Sequence, residues 1–232
     1  MKLSRIAFAF LTLFAVAITF AADEPKKESE EGYAPIFNGT DLTGWVYGKT
    51  DKGENKAGEG YRVKDGVIYC TVKDGGNLYT EKEYADFSLR FEFKLSESAN
   101  NGIGIRAPLK GDSAYVGMEI QVLDNDGKAY KKPDGTPSIR PAQFHGSIYD
   151  VFPAKPGFLR PTGEWNTEEI KADGTKITVT LNGTVITEAD LSTVTDPAVL
   201  KKHPGLKNEK GHIGFLGHGA QVEFRNLRIK EL

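Results

Sequence analysis

In a chain of 232 residues, 30 basic and 32 acidic side chains are interspersed and nearly cancel, which excludes the dense positive field of a nucleic-acid binder. A single cysteine, Cys70, excludes an internal disulfide, so stability has to come from a packed core. With 26 glycines and no long helical period, the chain points to short strands joined by turns.

Lys2 and Arg5 precede an apolar run from Ile6 to Phe20, and Thr19 and Ala21 are small enough for the positions a signal peptidase reads. Residues 1–22 are expected to be a signal peptide. The run is short against the ~20 residues that span a bilayer, so no membrane span is expected after cleavage and the address is periplasmic or secreted. Asp23 to Glu31 has no large apolar residue, so residues 23–32 read as a disordered tether and 33–232 as a single domain.

Asp65-Gly66 between Tyr61-Arg62-Val63 and Val67 to Val72 signals a hairpin, as does Asn182-Gly183. Cys70 falls inside the second strand as a small buried residue. Phe87, Leu89, Phe91 and Phe93 alternate with Ser88, Arg90, Glu92 and Lys94, the cleanest strand of the chain. In Asn101-Gly102-Ile103-Gly104-Ile105-Arg106, the two isoleucines point inward, and Gly102 and Gly104 leave room for a ligand with Arg106 at its edge. Tyr115 to Gly127 is the stretch expected to carry chemistry. Met118, Ile120 and Val122 alternate with Glu119 and Gln121, so one face packs and the other is free to act. A strict period of two turns Asp124 away from Glu119; a bulge at Val122-Leu123 would bring the two carboxyls together.

Gly127 to Pro141 is a long polar loop expected to overhang the site, and His145 and Tyr149 follow it. Asp124-Asn125-Asp126-Gly127 lacks the spaced ligands of a calcium loop and reads as a turn. Trp165 opens another strand, where packing in the core and stacking on a sugar ring are both open. A short helix is expected around Thr195 to Lys201, capped by Thr195 or Asp196. His203 reads as a solvated loop residue and His212 as structural. The phase slip between Phe224 and Leu227 calls for a bulge at Arg225-Asn226. The core is expected to contain Leu89, Phe91, Phe93, Ile103, Ile105, Ile120, Val122 and Phe224.

Taken together, Phe37-Asn38-Gly39-Thr40-Asp41-Leu42-Thr43-Gly44-Trp45, Asn101 to Arg106, Gly117 to Asp124, Gly163-Glu164-Trp165-Asn166 and His218-Gly219 through Leu227 resemble the 3-keto-disaccharide hydrolase family. The resemblance implies an all-β fold, a two-sheet antiparallel β-sandwich of the concanavalin A-like jelly-roll kind, with the site on a concave sheet. It also implies an exported enzyme acting on glycosides whose sugar carries a ketone at carbon 3. Such a ketone acidifies the hydrogen at carbon 2, so elimination of the glycosidic oxygen becomes available given a base, an acid and a partner for the enolate oxygen. Glu119, Asp124 and His145 are the candidates for catalysis. Asn101, Arg106, Gln121, Tyr149, Trp165 and His218 are the candidates for substrate binding, with Arg106 or a bound divalent cation facing the enolate. Direct hydrolysis by Glu119 and Asp124 as a carboxyl pair stays open, as does a non-catalytic carbohydrate-binding module on the same fold.

Overall fold

The computed structural model of the protein describes residues 30–48, 60–71 and 76–232. The expected signal peptide and most of the tether lie outside the described residues. The strands are β1 (Ala34–Pro35), β2 (Trp45–Tyr47), β3 (Tyr61–Lys64), β4 (Val67–Cys70), β5 (Gly76–Tyr84), β6 (Phe87–Leu95), β7 (Asn100–Ala107), β8 (Met118–Leu123), β9 (Trp165–Asp173), β10 (Lys176–Leu181), β11 (Thr184–Asp190), β12 (Gly211–Gly217) and β13 (Val222–Glu231). One helical turn, α1 (Ser113–Val116), precedes β8, and α2 (Pro197–Lys202) precedes β12.

Two antiparallel sheets form a sandwich of the jelly-roll kind. The first runs β11-β10-β9-β6-β13-β4-β3, with β1 also paired to β13; the second runs β2-β5-β12-β7-β8. Local chemistry sets the connections. Asp65 and Gly66, and again Asn182 and Gly183, take the paired positive φ values of a tight hairpin turn, at 51°, 76°, 49° and 82°. The register of β13 on β6 slips between Arg225 and Arg228, with Asn226 at φ 53°, which is the expected bulge. Asp196 caps α2 by accepting a hydrogen bond from the Ala198 amide, with Pro197 in the first turn.

The eight residues expected in the core are all buried there. Across the middle of the sandwich Phe215 of β12 stacks on Phe224 of β13 with ring centroids 4.1 Å apart. Burying aromatics from both inner faces supplies the stabilisation that a disulfide-free chain requires.

Two departures bear on the site. Tyr115 and Val116, at the start of the stretch expected to carry chemistry, lie in α1 and not in the strand, because the Asp112 carboxylate accepts the Ala114 amide and starts a helical turn. The register of β8 on β7 runs without interruption from Asn100↔Leu123 to Ile105↔Met118, so the bulge expected at Val122-Leu123 does not form. The outer edge of β8 is covered by the segment 146–149: Gly146 N donates to Gln121 O, Gln121 N to Ser147 O and Tyr149 N to Glu119 O.

Candidate active site

The outward face of the five-stranded sheet holds the candidate site. Val46, Tyr79, Gly214, Gly104 and Glu119 are successive cross-strand partners on β2, β5, β12, β7 and β8, so their side-chain positions share one face. The glycines of this face are occupied by their neighbours' side chains and do not stand open. A Cβ on Gly102 would lie 2.1 Å from Glu119 Oε1, and one on Gly104 would lie 3.3 Å from Leu216 Cδ2. Glycine at 102 is what lets the Glu119 carboxyl lie flat on the sheet.

Glu119 is buried, and its Oε1 makes no hydrogen bond. His218, at the end of β12, covers it: Nε2 stands 3.7 Å from Oε1, an ion-pair distance longer than a hydrogen bond, with the imidazole side chain 50 % exposed and the Glu119 side chain 4 %. Burial pushes the Glu119 carboxyl above the ordinary range, and His218 draws it partly back. The neighbouring Glu119 raises the His218 imidazole, against the opposing effect of burial. Together they form a pair in which a half-exposed imidazole stands over a buried carboxyl, residue types capable of proton transfer.

Gln121 lies one step along on the same face. Its Nε2 donates to Asn100 Oδ1 at 2.8 Å, and its Oε1 is buried without a partner. Tyr149 flanks Glu119 at the sheet edge, its phenol accepting from Gln143 Nε2 at 3.1 Å. Three residues of this region escaped the sequence reading: Tyr79, whose hydroxyl is hydrogen-bonded to Ser113 Oγ and accepts from Asn77 Nδ2, Ser113 itself, and Asp112 just before it. Leu78 is a core residue, so strand alternation could have placed Tyr79 on the outward face.

Five expected site residues lie elsewhere. Asp124 follows the end of β8, where its Oδ2 accepts the Ser98 amide at 2.8 Å; without a bulge it does not join Glu119. Asn101 shares the phase of Ile103 and Ile105, so it faces the opposite sheet and donates to Tyr61 Oη at 3.2 Å. Arg106 takes φ 47°, which swings it out of the strand's alternation. It donates to the carbonyls of Ala85, Gly174 and Asn208 and to Asp86, tying loops together. His145 is sealed between the sheets, stacked on Phe93 at 5.0 Å, with Nε2 2.8 Å from Glu168 Oε2. Trp165 lies on the outward face of the other sheet, under the cations of Arg225 and Lys94 at 3.9 and 4.9 Å.

The remaining histidines are both structural. His203, expected in solvent, is buried, with its Nδ1 3.2 Å from Ala114 O and its ring against Tyr115. His212 Nδ1 lies 2.8 Å from Thr80 O. The long loop after Gly127 is anchored by Tyr130 Oη to Ser98 O, at the Leu123 end of β8. The Asp124 turn closes with Gly127 N on Asp124 O. Among the described residues no three His, Cys, Asp or Glu side chains are grouped to hold a metal ion, and no helix is long and apolar enough to cross a membrane.

Cavities of about 620 and 590 Å³ lie away from Glu119, the first walled by Arg106, Asp86 and Leu206, the second beside Phe37 and Arg228. The larger one is built on the fully engaged Arg106 clamp, so chemistry, not volume, selects the outward face as the candidate site.

These features define a class: a two-sheet β-sandwich with an imidazole–carboxylate pair on an open sheet face. The chain belongs to the family described as the 3-keto-alpha-glucoside-1,2-lyase-like domain, whose model matches residues 32–230. It is 29 % identical to a 3-keto-disaccharide hydrolase of Bacteroides thetaiotaomicron, across 87 % of this chain and 79 % of that protein. Among solved structures, it is similar to a Parabacteroides distasonis protein assigned as a glycosyl hydrolase, with a TM-score of 0.71, 25 % identity and coverage of 87 % and 94 % of the two chains. A Bacillus subtilis protein with a galectin-like fold, at 12 % identity and a TM-score of 0.51, shares the fold alone.

Proposed function

We propose that this protein cleaves the glycosidic bond of 3-keto glycosides by elimination across carbons 1 and 2, with His218 as the proton-transfer group and Glu119 as its buried partner. The observation that carries this reading is the half-exposed imidazole standing over a buried carboxylate. Neutral His218 takes the proton from carbon 2, whose bonding electrons pass into the enolate of the carbon-3 ketone. As the enolate collapses, the bond from carbon 1 to the glycosidic oxygen breaks, that oxygen takes up a proton, and an enone remains. Water adding across the enone makes the outcome a net hydrolysis, so a lyase description and a hydrolase description are compatible with one site.

Two placements favour this route, one over a carboxyl pair and one over a binding module. Asp124 is tied to the Ser98 amide beyond the end of the strand, and retaining or inverting hydrolysis requires two carboxyls flanking one bond. A purely sugar-binding role loses its aromatic platform, because Trp165 lies on the other sheet beneath two cations.

The test is incubation with a 3-keto disaccharide and with its unoxidised parent in deuterated water. Cleavage of the keto sugar alone, with enzyme-dependent deuterium incorporation at carbon 2, is expected; equal cleavage of the parent would overturn the mechanism. Export rests on Lys2, Arg5 and the apolar run Ile6 to Phe20, and N-terminal sequencing of the protein recovered outside the cytoplasm should begin near Ala22 or Asp23.

A further inference from the structure

Proton removal from carbon 2 sends an electron pair toward the carbon-3 oxygen, where negative charge gathers and a hydrogen-bond donor is needed. Arg106, the side chain expected in that place, is engaged with Asp86 and with the carbonyls of Ala85, Gly174 and Asn208. A donor stands on the face itself. Asn100, the first residue of β7, is half-buried, and its Oδ1 accepts from Gln121 Nε2 at 2.8 Å. An amide has one oxygen and two N–H donors. With Oδ1 turned toward Gln121, Nδ2 keeps two donors that bond to nothing among the described residues.

Strand pairing sets this amide beside His218. Gly214 of β12 faces Gly104 of β7 and Phe215 faces Ile103, and the same antiparallel register carried forward brings His218 opposite Asn100. The inner face agrees. Asn101 Nδ2 donates to Tyr61 Oη at 3.2 Å, and a Cβ on Gly217 would lie 3.1 Å from that same oxygen, so Asn101 and Gly217 are neighbours on the inner side. By alternation Asn100 and His218 are neighbours on the outward side, where directly opposed Cβ atoms stand about 4.5–5.5 Å apart. Side-chain contacts close round the same spot: Glu119, which His218 meets at 3.7 Å, lies over Gly102, and Gly102 is the cross-strand partner of Gln121, the side chain bonded to Asn100.

Gln121 is buried, and its Oε1 has no partner. A buried amide with an unmatched oxygen costs stability that a methionine of similar length would not, so the fold alone does not call for it. We propose that Asn100 is a catalytic residue that donates an Nδ2 hydrogen bond to the carbon-3 oxygen of the substrate, and that Gln121 is the positioning residue that holds the Asn100 amide in the donating orientation. The inference rests on the reading of His218 as the base for carbon 2. As His218 takes the carbon-2 proton, the bonding pair forms a double bond between carbons 2 and 3, and the carbonyl π pair moves onto the oxygen that Asn100 meets. When the glycosidic oxygen leaves carbon 1 with its electron pair, the ketone re-forms beside the new double bond between carbons 1 and 2. Asn100 ends the cycle unchanged.

The direct test is the NMR signal of the carbonyl carbon of a 3-keto glycoside labelled with carbon-13 at carbon 3, bound to the His218→Ala protein, which lacks the base and keeps Asn100. In His218→Ala/Asn100→Ala the bound resonance should lie upfield of that position, because the carbonyl has lost its donor, and His218→Ala/Gln121→Met should move it part of the way. On a 3-keto disaccharide, Asn100→Ala should lower kcat by about 10²–10³-fold with KM within about threefold. Asn100→Asp keeps an oxygen for Gln121 Nε2 and removes the N–H donors, so it should fall at least as far with the surroundings of Gln121 intact. Gln121→Met should cost about tenfold in kcat. A carbonyl resonance unmoved by Asn100→Ala, or turnover within about threefold of wild type in both Asn100 variants, would overturn the assignment. The upfield move without any cleavage by the wild type would instead sink the proposed function and keep the Asn100 bond; a keto sugar that does not bind sinks both.

Discussion

Two of the histidine–glutamate pairs among the described residues of this sandwich have opposite surroundings. His145 and Glu168 meet between the sheets, with side chains 1 % and 0 % exposed. Leu123 N donates to His145 Nδ1 at 3.4 Å, and Nε2 stands 2.8 Å from Glu168 Oε2 without hydrogen-bond alignment. His218 and Glu119 meet on an outward face at 3.7 Å, with the imidazole half in solvent. Identical residue types thus serve as a bolt in one place and, in the proposed mechanism, as a tool in the other. Access decides it: a proton that no substrate can reach serves only the fold.

The sharpest way to break the comparison is to disarm each pair in turn. Glu119→Gln and His218→Ala should each lower kcat on a 3-keto glycoside by about 10²–10⁴-fold. Neither should unfold the protein, because the face already meets solvent at His218, and thermal melts of the same samples check this. Full activity in either variant would remove that residue from the mechanism. In the core the effect should fall on stability: Glu168→Ala or His145→Ala should lower unfolding free energy by about 3–5 kcal/mol, since each strands a buried partner, whereas the apolar double replacement His145→Phe/Glu168→Met should be near neutral. Denaturant titration separates the two outcomes, and the folded fraction of the core variants should retain its turnover.

A subtler distinction is acid sensitivity. The base form of His218 exists above its raised pKa, so turnover should decline as pH falls through a midpoint above the ordinary imidazole value. Removing the negative neighbour with Glu119→Gln should carry that midpoint downward in an NMR titration of the ring, where activity is not needed. Next in size is the glycine beneath the carboxyl. Gly102→Ala forces Glu119 off the sheet and should destabilise by about 1–3 kcal/mol while reducing kcat. Least affected should be Trp165→Ala, with kcat/KM within about twofold of wild type and a stability loss of about 1 kcal/mol from the Arg225 and Lys94 contacts; a large loss of sugar affinity there would move binding to the other sheet.

Strand alternation made the framework readable before any coordinates. Leu89, Phe91 and Phe93 inward, Glu119 and Gln121 outward, the hairpin turns and the Arg225-Asn226 bulge all follow from local rules that the structure obeys. The same rule places Asn101 inward with Ile103 and Ile105, against its expected place among the substrate-binding residues. Arg106 was not legible, because a positive φ at a single residue breaks the period that the reading relied on. His145 and Glu168 stand 23 positions apart and meet only through the packing of one sheet on the other, which no short-range pattern encodes. Tyr79 and Ser113 were hidden in the same way, 34 positions apart on elements joined across the sheet.

The covering of β8 by the segment 146–149 has a consequence for how the protein lives among copies of itself. The strand Met118-Glu119-Ile120-Gln121-Val122-Leu123 closes its sheet, and a bare terminal strand of this composition is a template on which another chain can extend the ladder. With three of its backbone hydrogen bonds made to Gly146, Ser147 and Tyr149, the strand that also bears Glu119 and Gln121 is withdrawn from intermolecular pairing. Aggregation and function would otherwise compete for the same edge, and a few residues of its own loop keep them apart.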